Sequence, residues 1–138
     1  MKSVLPIIDR IAGSLLAMGA LLHGYGSYLA HPSLSANLVW ALSGSVAALL
    51  LAAINLLRAN RPNDLPLAWI SFVGCLLWIG IVGGFAATLP NPIDLRPLYH
   101  LVATLILAAL SLRTALGDAG AEAEATFHFE AVAHVEPE

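Results

Sequence analysis

Two histidines stand inside the long apolar runs of this 138-residue chain, His23 in the first and His100 in the last. A neutral imidazole offers a lone pair to a metal and an N–H to an acceptor, so a histidine within a membrane-length segment is a candidate site by type alone. His23 lies four residues after Gly19 and four before Ser27, with Ala20 and Gly26 on the same helical side. Its ring therefore stands on a face of small residues that another group can approach. His100 sits on a face that continues through Thr104, Ala108 and Ser111. With Ala30 and Arg96 taken as the membrane margins, a rise of about 1.5 Å per residue puts His23 about 10 Å deep and His100 about 6 Å deep. A helix tilt of about 20° absorbs the difference. On adjacent first and last helices the two rings can share one depth, and facing imidazoles suit the iron of a b-type haem. His23 with Gly19 one turn away equally suits a chlorophyll-type pigment. Quinone contact and plain interhelical hydrogen bonding by each histidine are the remaining readings. His31 belongs to a loop and is expected to be solvated.

The elements that must carry these rings follow from hydropathy. The chain is 59% hydrophobic and 11% charged, against about 45–50% and 25% in soluble domains. Ile11 to Ala30 contains no Asp, Glu, Lys or Arg, and about twenty such residues cross the roughly 30 Å hydrocarbon core as a helix. Comparable spans are expected at about 38–57, 67–89 and 95–116. The uncharged part of the last, Leu98 to Leu112, is short, so Arg96 and Arg113 must reach to the two surfaces. The segment before the first span resembles a signal-peptide start, but the apolar run is too long for one, and an uncleaved anchor is expected.

Punctuation between the spans is consistent with this division. Pro32 ends the first helix at His31, Ser35 or Asn37 caps the second, and RANRPNDLP turns into the third. Asp94 caps the fourth, with Pro97 in its first turn, where a missing N–H costs nothing. Tyr25, Tyr28, Trp40 and Trp69 mark interfaces. Trp78 falls near mid-span, where its indole N–H must find a partner other than water. Gly44, Ala48, Ala52 and Asn55 form one small-residue stripe and Gly80, Gly83, Gly84 and Thr88 another; both are expected at helix contacts. Asn55 should hydrogen-bond a neighbouring helix. Cys75 lies alone in an apolar run, which excludes an internal disulfide and reads as a small buried hydrophobe.

Charge sets the orientation. With four spans the termini share a side, and that side holds Lys2, Arg10, Arg58, Arg61 and Arg113 against Arg96 on the other. The bias predicts cytoplasmic termini. Short loops make sequential spans antiparallel neighbours, so the fold class is an all-α, four-transmembrane-helix up-down-up-down bundle, N-in and C-in, in the cytoplasmic (inner) membrane. Residues 1–116 form the bundle, with six basic and three acidic side chains. Residues 117–138 form an acidic cytoplasmic tail with six acidic and no basic ones.

The tail begins with Gly, Ala and acid and then alternates: Phe127, Phe129, Ala131, Ala133 and Val135 against His128, Glu130, His134 and Glu136. That period of two reads as a strand only if a partner supplies its edge, so the segment is expected to be either disordered or, over 126–136, docked on a cytoplasmic partner. His128 and His134 would lie about 20 Å apart on such a strand and make no metal pair.

Function classes narrow by what the chemistry needs. Clustered Lys and Arg for nucleic acid, a Ser-His-Asp set, HExxH and a Gly-rich phosphate loop do not occur in the sequence. No carboxylate or arginine falls within 11–30, 38–57, 67–89 or the uncharged 98–112 of the last span, which counts against a small ion-coupled transporter. The expectation is a small non-catalytic accessory subunit of a larger membrane complex, respiratory or photosynthetic, in contact with lipid and other membrane subunits. The alternatives are an electron-transfer subunit binding b-type haem or pigment through His23 and His100, and a small transporter.

Overall fold

The structure, a computed structural model, describes residues 4–31, 33–91 and 93–133, and the side chains of these as far as 117. The described residues are all helical apart from short connections: α1 Leu5–Ala30, α2 Ala36–Ala59, α3 Leu65–Ala87 and α4 Leu95–Ala133. All four are long and apolar enough to cross a membrane, α4 over Leu95–Gly117. The chain thus has the build of a multi-pass membrane protein.

Each helix starts where local chemistry lets it. Pro6 occupies the first turn of α1, where its fixed φ fits and its missing N–H is no loss. The helix therefore begins six residues before the charge-free run and takes in Asp9 and Arg10. Ser35 caps α2, its hydroxyl accepting the Leu38 N–H at 3.2 Å, and Asp64 caps α3 by accepting the Leu67 N–H at 3.0 Å. The Asp94 carboxylate accepts the Arg96 backbone N–H at 2.9 Å and holds the Arg96 guanidinium through two further bonds of 2.8 and 2.9 Å. Those side-chain and backbone hydrogen bonds from Arg96 hold the Asp94 carboxyl down to about 2.

Buried residues recur every three or four positions. On α1 they are Asp9, Ala12, Gly13, Leu16, Gly19 and Ala20; on α2, Ser45, Ala48, Leu51, Ala52, Asn55 and Arg58. α1 packs mainly on α2 and α3 on α4, while α1 also meets α4 and α2 meets α3. Along α1, partners on α2 step back from Arg58 through Leu56 to Ser45 as the chain advances from Asp9 through Gly13 to Gly24. A Cβ built on Gly13 would lie 2.9 Å from Leu56 Cδ2, so the two backbones approach there because one residue has no side chain. Leu16, Leu51 and Leu107 are the leucines of the buried apolar middle, beside the larger Trp78; Ile7, Leu15, Leu22, Leu50, Leu77 and Ile81 are exposed.

Two expectations are corrected. The Gly80–Gly84 stripe does not face the bundle: both glycines are exposed, and a Cβ built on Gly80, Gly83 or Gly84 meets nothing within 4 Å. The inward face of α3 is Ala68, Ser71, Cys75, Trp78, Val82 and Ala86, which fills the contact with larger side chains. The strand pattern in the tail gives way to helix through Ala133. Extending a nucleated helix adds one bond per residue, and Ala and Glu favour it, whereas a strand needs a second chain. His134, Val135 and Glu136, and the end of the 126–136 docking segment, lie outside the described residues.

Candidate functional site

The two span histidines come together. His23 on α1 and His100 on α4 have ring centroids 6.4 Å apart, edge to face at 80°. His23 is exposed on the outer side of the bundle and His100 is half-buried behind it. The approach depends on Gly19. A Cβ there would lie 3.2 Å from His100 Nε2 and 2.5 Å from Tyr99 Cε1, so no other residue fits without moving a ring. Tyr99, next to His100, donates its hydroxyl to the Leu15 carbonyl at 2.5 Å and ties α4 to α1 one turn before Gly19.

Trp78 on α3 completes the cluster, its ring centroid 6.0 Å from that of His100. Its Nε1 and the Nδ1 of His100 are both buried and without a hydrogen-bond partner. Leaving such groups unmade costs about 1–3 kcal/mol each in a protein interior, so this end carries two polar valences that the chain does not satisfy itself. Two imidazoles on opposite sides of one metal at about 2.0 Å would place their ring centroids roughly 6 Å apart, and 6.4 Å is also the spacing of two rings in direct edge-to-face contact. Among the described residues no group of three or more His, Cys, Asp and Glu converges. Two protein ligands are the number needed by an iron whose other four positions are filled by a macrocycle, whereas a structural zinc needs four.

The opposite end of the bundle holds a second polar cluster: Asp9 and Arg58, left outside the spans in the sequence reading, are buried on α1 and α2. Arg58, 2% exposed, donates from Nη2 to Asp9 Oδ1 at 2.5 Å and from Nη1 to Thr114 Oγ1 at 3.3 Å. One turn inward, Asn55 Oδ1 accepts from Ser111 Oγ at 3.2 Å, and its Nδ2 donates to the Leu51 carbonyl at 3.0 Å and to Cys75 Sγ at 3.5 Å. Asn55 thus bonds neighbouring helices, as expected, and Cys75 is fully buried as a small core residue. The Oγ of Ser71 and the Nε of Arg58 have no partner.

The signal for this cluster was present in spacing. Asn55 and Arg58 extend the Ala48–Ala52 face by three residues at a time, and Asp9 precedes Ala12 and Gly13 on the equivalent face of α1. Bounding the spans at the first charge hid it. The two clusters are separated by apolar packing: Leu16 lies seven residues from both Asp9 and His23, and Leu107 seven from both Thr114 and His100. Each heptad is about 10 Å of helix. Comparison with protein-family models, with curated proteins and with solved structures finds no match to this chain.

Proposed function

We propose that the chain is a small multi-pass protein of the cytoplasmic membrane, an up-down-up-down bundle with cytoplasmic termini, serving as a non-catalytic accessory subunit of a larger membrane complex. Arg10, Arg58, Arg61 and Arg113 at one end against Arg96 at the other support that orientation. The observation that carries the accessory role is the outward Gly80–Gly84 face of α3. Each glycine weakens a helix by about 1 kcal/mol relative to alanine, and lipid returns little contact to a surface without side chains. A helix of another membrane subunit packed on that face offsets the cost. Extraction from the native membrane in mild detergent tests this: the wild type should migrate as part of a larger assembly, and Gly80→Leu with Gly84→Leu should release it. Migration of the wild type at monomer size overturns the reading.

A second reading rests on the 6.4 Å pair of His23 and His100, which supports ligation of a b-type haem or a chlorophyll-type pigment and hence electron transfer or light harvesting within the same complex. Oxidised and dithionite-reduced visible spectra of the natively purified protein decide it. A Soret band that shifts on reduction and is lost in His100→Ala supports haem, long-wavelength bands support pigment, and a featureless spectrum removes both. A transporter would use the buried Asp9–Arg58 pair, but the Leu16, Leu51 and Leu107 packing between the two polar ends disfavours a path through this bundle.

A further inference from the structure

At the Arg58 end an open cleft of about 330 Å³ lies between α1, α2, α4 and the α2–α3 loop. Asp9, Arg58, Asn63, Arg113 and Thr114 line it, with Leu110 as its apolar wall. Arg58 is fixed by its bonds to Asp9 and Thr114, while its Nε is buried without a partner. Arg113 is exposed and takes part in neither ion pair found among the described residues. Two arginines against one aspartate leave the cleft at +1, beside a side-chain amide and a hydroxyl.

Its position matters as much as its charge. Four arginines, Arg10, Arg58, Arg61 and Arg113, stand against Asp9 and Asp64 at this end; at the other, Arg96 is already matched by Asp94. The cleft opens where α4 leaves its apolar stretch at Gly117, at the depth of lipid headgroups. A fixed cation, an amide and an apolar wall at that depth match the two halves of a phospholipid, its phosphodiester and its acyl chains. α4 continues as a helix past Gly117, rising about 1.5 Å per residue.

We propose that this cleft binds the headgroup phosphate of an anionic phospholipid, with Arg113 as its principal charge contact and Arg58 and Asn63 completing the site. The proposal goes beyond the accessory role and needs only that the chain spans a bilayer. The test is native mass spectrometry of the full chain released from vesicles that mix phosphatidylglycerol with phosphatidylcholine. The wild type should retain phosphatidylglycerol over phosphatidylcholine, and Arg113→Gln should lower that preference about fivefold, the worth of one basic side chain at an anionic surface. Arg10→Gln removes the same charge from the same end but outside the cleft, its guanidinium being hydrogen-bonded to Asn60; it should leave the preference nearly unchanged. Equal losses in the two variants would mean diffuse attraction and overturn the site, as would absence of any preference in the wild type. Displacement of the lipid by millimolar inorganic phosphate would overturn the lipid as occupant. Arg113 is exposed, so its variant should melt like the wild type in phosphatidylcholine alone; a lowered melt there would make the residue structural and also overturn the assignment.

Discussion

The two polar ends of the bundle are built from similar means and reach different states. At the Arg58 end Asp9, Arg58, Asn55, Ser111 and Thr114 answer one another across α1, α2 and α4. At the His100 end four rings meet without a hydrogen bond from one side chain to another, and His100 Nδ1 and Trp78 Nε1 are left unanswered, as Arg58 Nε and Ser71 Oγ are at the first end. A satisfied network in a low-dielectric interior locks helix register, whereas an unsatisfied one costs stability until something fills it. The first end is therefore where side-chain hydrogen bonds hold the fold, and the second is where the helices meet by ring contact.

The largest effect expected of any single substitution is at the held end. Asp9→Ala leaves Arg58 buried and uncompensated and should destabilise by about 3–5 kcal/mol, read as a lowered melting temperature in detergent. Asp9→Leu with Arg58→Met should recover most of it; failure to recover would mean that the pair does more than hold the helices. Next comes Gly19→Leu, which drives a side chain into Tyr99 and His100 and should cost about 1–3 kcal/mol by overpacking. A cysteine pair placed across α1 and α4 should then lose cross-linking efficiency. Trp78→Phe sharpens the contrast because its sign is informative: deleting an indole N–H with no partner should raise stability by about 1 kcal/mol in the purified chain. A fall instead would show that the lost ring volume outweighs the relief of the orphaned N–H. The smallest effect is at Asp94. Its carboxyl, held at about 2 by Arg96, favours the folded state above the ordinary value near 4, and that contribution fades only as pH drops toward 2. A carboxyl ¹³C titration should show its midpoint near 2, and Arg96→Gln should return it toward about 4.

Much of this architecture was legible because the signals were long. Four apolar runs of about twenty residues can hardly be anything but spans, and depth arithmetic on His23 and His100 needed only helical rise to place the rings together. What escaped notice was short or ambiguous. Asp9 and Arg58 look like flanking charges when each span is read alone; only their mutual contact makes burial affordable, and that contact is between residues 49 apart in sequence. The Gly80–Gly84 stripe reads the same whether it faces a sister helix or a foreign one. The alternation after Thr126 fits a strand in pattern, yet a chain end joined to an existing helix has a nearer source of hydrogen bonds. Tyr99 carried no periodic signal that set it apart from other interfacial tyrosines.

The length of α4 has a mechanical consequence. It is one helix of 39 residues from Leu95 to Ala133, about 58 Å end to end. His100 sits near one tip, Ser111 and Thr114 act as the bearing against α2, and roughly 24 Å extends past Gly117. Such a rod is a lever: a rocking of about 10° around that bearing, a fraction of the tilt range seen among membrane helices, would sweep the far tip through about 5 Å. A displacement of the distal segment would thereby change how closely His23 and His100 approach.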